Sequence, residues 1–529
     1  MKKCITTAIV LLLVLSILVV AGCGSSSGDA SGETASAGNS AGTAASADSP
    51  AGAASGNSDE LVIGINGDID DFNPQTNQMN NYLQTIAFNC YEPLMHHNES
   101  MEYSMDLATE YNKVDDLTYT FTLREDAKFH NGEPFTAADV VYTFEYIQNP
   151  DNGAWRASQY TTLTSVTADN DYQVTFKLNE PTPAFLDSIA YTPILCKSAD
   201  PATLSTNPVG TGPFKFISWT PNDNISLEKF DEYYDADKVS FKKVMIKPFS
   251  DYTVAITNME AGAVDLLVNI TPDNAQTVKD TNGLNVLQAS ASNNLMDLEI
   301  GRHNVEAFKD PNVLKAMFMV FDADTINDQI FYGMGNKTVS CFPSSAKYST
   351  PTYDWTYDPE GAKELLAQTN FKDGFEFEVK VLTADTASEK AMTIWQADLA
   401  QLGINMKISK EEMSIWLDNY LNRTYDMIAN NYNMVGVDPA MFCSIILSQL
   451  KDYQTADLPE LNSLIEEGAK ETDETKRADI YGNIQKLVAE NYPVVEWIEA
   501  PQLCGQVDPL SGVQVNPVGY LFLKEAKKS

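Results

Sequence analysis

The chain has 529 residues, with 35 basic side chains against 73 acidic ones, a formal net charge of −38 and an isoelectric point near 4.3. So acidic a chain lacks the basic surface that nucleic acid binding requires, and its charge serves solubility or draws cationic ligands from a distance. Its seven cysteines are scattered, which fits neither a disulfide framework nor a metal knuckle.

Residues 1–22 have the layout of a signal peptide: Lys2 and Lys3, an apolar run from Ala8 to Val20 broken by Ser16, then Ala21 and Gly22 before Cys23. The apolar run is too short to span a membrane comfortably. Residues 23–58 are almost entirely Gly, Ser, Ala, Thr, Asn and Asp. Such a segment buries too little apolar surface to offset its ordering entropy and is expected to be a flexible linker. A cysteine at the cut followed by a linker resembles the lipobox of bacterial lipoproteins. The resemblance implies that Cys23 becomes the N-terminus and carries the acyl chains that hold the protein to the lipid bilayer, at the extracytoplasmic face of the cell membrane.

About 470 residues follow, more than one core usually serves, so two or three lobes are expected. Leu61 to Ile65 reads as a buried strand ending at Asn66 and Gly67, with a loop through Asp70, Asp71, Phe72, Asn73 and Pro74. A helix is expected over 82–94, with Leu83, Ile86, Ala87 and Cys90 on one face and Pro93 as its stop. Tyr119, Phe121 and Leu123 alternate with Thr120 and Thr122, and Val174, Phe176 and Leu178 repeat the pattern, as strands of one antiparallel sheet do. Between them, Thr136 and Asp139 have capping-box spacing before Val140, Val141 and Phe144. Asp358-Pro359 starts another helix, with Ala362, Leu365 and Leu366 inward. A further helix carries Ala391, Ile394, Trp395, Leu399 and Leu402 and stops at Gly403, and one over 474–490 presents Ile480, Ile484, Leu487 and Val488. These stripes read as core packing, and no solenoid repeat is present.

The chemistry-bearing residues do not assemble into a catalytic pattern. His96, His97, His130 and His303 have no metal-site spacing, and no Gly-x-Ser-x-Gly elbow occurs. The pairs Gly210/Gly212 and Gly333/Gly335 lack the glycine and lysine of a phosphate loop, and Pro213 makes the first a rigid turn. No enzyme, cofactor or metal is expected.

Three stretches resemble the family 5 extracellular solute-binding proteins that serve peptide and nickel ABC importers: Tyr119–Phe144 (YTFTLREDAKFHNGEPFTAADVVYTF), Asn207–Tyr234 (NPVGTGPFKFISWTPNDNISLEKFDEYY) and Thr253–Asp265 (TVAITNMEAGAVD). These are folding signatures in which Gly132, Gly210, Gly212 and Gly262 supply turns and Trp219 packs, so function enters by analogy. The resemblance implies an α/β, two-lobed periplasmic-binding-protein fold of type II, with mixed sheets and an inserted subdomain. It places lobe I at 59–98, 205–298 and 500–529, the inserted subdomain at 99–204 and lobe II at 299–499. The lobes hinge shut around ligand.

In dipeptide-binding relatives an arginine for the peptide carboxylate precedes the helix that here holds Trp395. This chain reads Leu382-Thr383-Ala384-Asp385 there, which favours a longer peptide or a cation. Asn430 to Pro439 resembles the segment in which an aspartate grips the peptide ammonium, and the match is Asp438; the same Asp-Pro is also a common helix start. Trp416 is a candidate for stacking on ligand, Asn431 and Tyr432 lie in the same segment as Asp438, and Asn66 and Gly67 end a strand where α/β sheets place ligand loops. The expected function is a monomeric substrate-binding lipoprotein that captures a peptide or other small solute and delivers it to an ABC permease and its ATPase. A receptor for a metal chelate, haem or other cationic solute is the alternative within transport, and a peptide-sensing or adhesive surface lipoprotein the alternative outside it.

Overall fold

The computed structural model describes residues 59–78, 80–450 and 457–529. The expected signal peptide, Cys23 and the linker lie outside the described residues.

Three sheets organise the chain. In the first, seven strands lie in the order Leu284–Gln288, Leu503–Val507, Leu266–Val268, Glu60–Asn66, Lys243–Phe249, Asn224–Lys229 and Phe214–Thr220. Glu60–Asn66 pairs in parallel with both of its neighbours, and the remaining pairs are antiparallel. Its centre is the run read as a buried strand: Leu61, Ile63 and Ile65 are fully buried, as continuous apolar strands flanked on both sides are. The second sheet has six strands, in the order Asn336–Lys337, Val494–Glu499, Asn294–Ile300, Met427–Asn433, Glu376–Leu382 and Asn405–Glu411. The third is antiparallel, two hairpins in the order Ala108–Asp115, Thr118–Leu123, Gln173–Leu178 and Leu163–Asn170. It carries the two alternating strands predicted above, with Tyr119 opposite Phe176 and Phe121 opposite Val174.

The expected helices form where capping chemistry starts them. Asp139 accepts from the Thr136 backbone N–H at 2.9 Å and opens Ala137–Gln148. Asp358 caps Pro359–Leu366, Asp385 caps Thr386–Gln401 and Asp473 caps Glu474–Asn491. Gly403 ends the third of these at a φ of 76°.

The helix expected over 82–94 is corrected: only Asn80–Thr85 is helical. Beyond it the Asn89 side chain donates to Thr85 O at 2.9 Å and to Leu521 O at 2.8 Å. The backbone at Asn89 and Cys90 accepts from Phe214 and Gly212 instead of continuing a helix. A Cβ on Gly210 would sit 2.0 Å from Cys90 O, so the Gly-Thr-Gly-Pro turn is glycine-rich because one backbone runs directly over another. Cys90, Cys196, Cys341, Cys443 and Cys504 are all buried and unbridged, behaving as small apolar residues.

Candidate functional site

The chain passes between the first and second sheets twice, at 289–293 and at 500–502. The crossings are tied together by Ala289 N–H to Gln502 O (3.1 Å) and Ala500 N–H to Asn294 O (2.8 Å). Against them lies the turn at 516–521, which accepts from Asn293 N–H at Pro517 O (2.9 Å) and from Asn433 Nδ2 at Val518 O (2.8 Å). Gly519 in this turn has a φ of 93°, and a Cβ there would meet Gln502 Oε1 at 2.7 Å and Gln84 Nε2 at 3.0 Å. Glycine therefore lets both glutamines close onto the turn. The next residue, Tyr520, lies 5.4 Å from Tyr191, ring centre to ring centre.

Around this turn the structure gathers buried polar atoms that take no hydrogen bond among the described residues: Gln75 Oε1, Gln84 Oε1, Trp155 Nε1, Arg156 Nη1 and Nη2, and Asn433 Oδ1; Tyr191 OH beside them is within reach of the Gly436 backbone. They arrive from distant parts of the chain. Gln75 is held by its Nε2 on Pro193 O (2.7 Å), and its own carbonyl accepts from Trp155 N–H (3.2 Å). Asn433 ends the strand Met427–Asn433 of the second sheet. Buried polar atoms are ordinarily paired, and this group, at the meeting of all three sheet regions, forms the candidate site.

Beside it a second arrangement joins the regions. Asp187, fully buried, accepts from Val437 N–H (2.9 Å) and Asp438 N–H (2.7 Å) through Oδ2, and from Tyr103 OH (2.5 Å) through Oδ1. His97 Nε2 lies 3.2 Å from the same Oδ1. Burial pushes the Asp187 carboxyl up, but His97, Tyr103 and the Asp438 N–H outweigh it and hold it below the usual aspartate value. Gly436, at a φ of 95°, allows the approach, since a Cβ would lie 2.5 Å from Asp187 Oδ2.

Two sequence-predicted site residues are engaged within the protein. Asp438 is buried, and its oxygens face Arg477 Nη1 at 2.5 Å and Nη2 at 2.7 Å while it caps Pro439–Phe442 through Ala440 N–H. This bidentate pair neutralises Asp438. Trp416 stacks on Tyr420 with ring centres 5.3 Å apart, in a cluster with Leu382, Tyr425 and Ile428, which makes it core. Tyr432 is half-buried, edge-on to Phe442 at 5.8 Å, and Asn431 pairs across to Met296. Gly67, at a φ of 80°, donates to Phe249 O (3.0 Å), and with Asn66 it opens the loop whose far end carries Pro74 and Gln75. Sequence reasoning missed Gln75, Gln84, Trp155, Arg156, Tyr191 and Asn433, which share no spacing or periodicity.

The histidine pair is separated: His96 Nδ1 is on Asp106 at 2.6 Å, and His97 is on Asp187. Among the described residues no group of His, Cys, Asp and Glu has metal-holding geometry. Within the second sheet, Asp297, Glu299 and Glu496 are fully buried on neighbouring strands. Arg423 Nη1 (2.9 Å) and Tyr425 OH (2.6 Å) donate to Glu299, and Tyr353 OH (2.6 Å) donates to Glu496. Burial pushes the Glu496 carboxyl up to about 8 and that of Asp297 well above its ordinary range.

Sheets bridged by two crossings define a two-lobed protein with the type II periplasmic-binding-protein fold. The same architecture recurs in the ABC transporter substrate-binding protein CtaP of Listeria monocytogenes, at a TM-score of 0.81 and 23% identity over 89% of this chain and 99% of that one. It recurs again in a peptide-binding protein AppA of Clostridium difficile, at a TM-score of 0.79 and 19% identity over 89% of this chain and all of that one. Residues 102–454 match the model of the bacterial extracellular solute-binding proteins, family 5, and the chain belongs to that family. Among curated relatives, the glutathione-binding protein GsiB of Pectobacterium atrosepticum is 27% identical over 335 residues, 62% of this chain and 64% of the relative. The oligopeptide-binding protein AppA of Bacillus subtilis is 26% identical over 500 residues, 88% of this chain and 90% of the relative.

Proposed function

We propose that this protein is the substrate-binding component of an ABC importer and that its ligand is a peptide enclosed at the polar surface around Gly519. The observation that carries the reading is the set of buried atoms unpaired among the described residues there: acceptors on Gln75, Gln84 and Asn433 and donors on Trp155 and Arg156. A peptide backbone offers N–H and C=O groups along one line, and a surface carrying both unpaired donors and acceptors complements it without selecting side chains. The relatives described as oligopeptide-binding and glutathione-binding support the same class.

In this reading the first sheet belongs to lobe I (59–98, 205–293 and 500–529), the third to the inserted subdomain (99–204) and the second to lobe II (294–499), the expected boundary at 298 being moved back to the crossing because the strand Asn294–Ile300 is part of the second sheet. Asn66, Gly67, Asn431 and Tyr432 belong to the walls that flank the ligand. Cys23 carries the lipid after signal cleavage and tethers a monomeric receptor outside the cell membrane, where its closed form meets the permease and its ATPase. Native mass spectrometry of the purified protein, followed by thermal shifts against a tri- to pentapeptide library, tests the proposal. Co-purified peptides and saturable stabilisation are expected; no peptide in either experiment overturns it.

A further inference from the structure

Arg156 is fully buried, yet neither terminal nitrogen of its guanidinium takes part in a hydrogen bond or ion pair among the described residues. The side chain's only hydrogen bond among the described residues is a long one, from Nε to Pro74 O at 3.5 Å. The guanidinium lies 4.2 Å over the Trp155 ring, and the ionisable groups that face it are the phenols of Tyr82, Tyr160 and Tyr520, with no carboxylate among them. Those phenols do not neutralise it. Burial raises the pKa of all three, and the hydroxyls of Tyr82 and Tyr160 are engaged with Phe72 O and Thr192. Other buried arginines have an anion: Arg477 has Asp438, Arg423 has Glu299 and Arg302 has Asp457. An isolated buried cation is costly, and this one stands beside Gln75, Trp155 and Tyr520 at the proposed ligand surface.

We infer that Arg156 is the anchor for a carboxylate on the ligand, the C-terminal carboxylate if the ligand is a peptide. This deepens the proposed function and rests on it. A guanidinium presents two parallel N–H groups that match the two oxygens of a carboxylate, and the aromatic surroundings exclude the water that would compete. The rest of the molecule is strongly acidic, with a net charge of −38, so a desolvated cation at the surface makes the site selective for ligands that bring their own negative end. The anchor does not stand where the resemblance directs attention: at that point Asp385 caps a helix and Leu382 is core. The carboxylate is received instead from the region around Trp155.

The test compares tri- to pentapeptides bearing a free C-terminus with the same peptides as C-terminal amides, using calorimetry on wild type, R156K and R156M. Leaving a buried charge without its partner weakens binding by at least about 30-fold, so wild type should prefer the acids by that factor. The preference should shrink in R156K, which keeps charge but loses the fork, and vanish in R156M. Because the first comparison uses wild type alone, it holds even where a variant fails to fold. Equal binding of acids and amides by wild type overturns the inference while leaving the peptide reading intact, as does an acid preference that survives both substitutions. If neither peptide form binds, the peptide reading fails. The inference is then judged by thermal shifts with small organic acids and their amides, and is overturned unless the acids stabilise wild type more than R156K.

Discussion

Replacing Asp438 with Asn separates two roles that one residue could have at this position. Its carboxylate is paired bidentately with Arg477, at 2.5 and 2.7 Å, and the exposures of the two side chains are 7% and 2%. Removing one member of a buried pair leaves the other charge uncompensated, at a cost of about 3–5 kcal/mol. Asn keeps the helix cap, so the loss is assigned to the ion pair rather than to Ala440 N–H. A unit of 150–250 residues shifts by about 2–4 °C per kcal/mol, so differential scanning fluorimetry of D438N should show the melting step of the Arg477-bearing lobe falling by roughly 6–20 °C. R477M should fall comparably, and a D438N/R477M double variant should lose less than the sum, because removing both charges leaves none stranded. Peptide affinity of D438N, measured well below its melting step, should stay within a few-fold of wild type. A D438N protein that melts like wild type but no longer binds peptide would refute the reasoning and restore Asp438 as a ligand anchor.

Glu496 is held with its proton: its pKa is pushed up to about 8 by burial, so the folded state binds a proton that the unfolded state releases above about 4.5. Stability should therefore decline as pH rises from about 4.5 through 8, by on the order of 5 kcal/mol from this group, and urea titrations of E496Q across that range should show a flatter profile. Asp187 has the opposite sign. Its carboxyl is held below the usual value, so the contact with Val437 and Asp438 persists at neutral pH and weakens as pH falls through the lowered pKa; D187N should raise the radius of gyration of the ligand-free protein in small-angle scattering by loosening the junction. Gly436→Ala places a Cβ 2.5 Å from Asp187 Oδ2 at a φ of 95°, a strain of about 1–3 kcal/mol that should show as a lower melting temperature.

Local pattern alone was enough for the elements. The alternation at Tyr119–Leu123 and Val174–Leu178, the apolar run at Leu61–Ile65 and the caps at Thr136, Asp358 and Gly403 each involve residues that meet within a few positions. Period and capping chemistry therefore determine them. The turn motif Gly210-Thr211-Gly212-Pro213 was legible as rigid, though not its reason, since the backbone it overlies is 120 residues away at Cys90. For the same reason the helix expected over 82–94 was drawn too long: Asn89 bonds Leu521, more than 400 residues distant.

The proposed ligand surface belonged wholly to the tertiary structure. A segment resemblance pointed to Asp438 and a favourable side-chain type to Trp416, but whether a carboxylate faces solute or a partner depends on what folds against it. Here that is Arg477, on a helix beginning at Glu474. Conversely, nothing in the neighbourhood of Arg156 distinguishes it as a sequence. Its character comes from the absence of any carboxylate among the groups packed around it, drawn from Pro74, Tyr82, Tyr160 and Tyr520. Periodicity records which face of an element is buried, and only long-range packing decides which buried polar groups are left with a hydrogen bond to make.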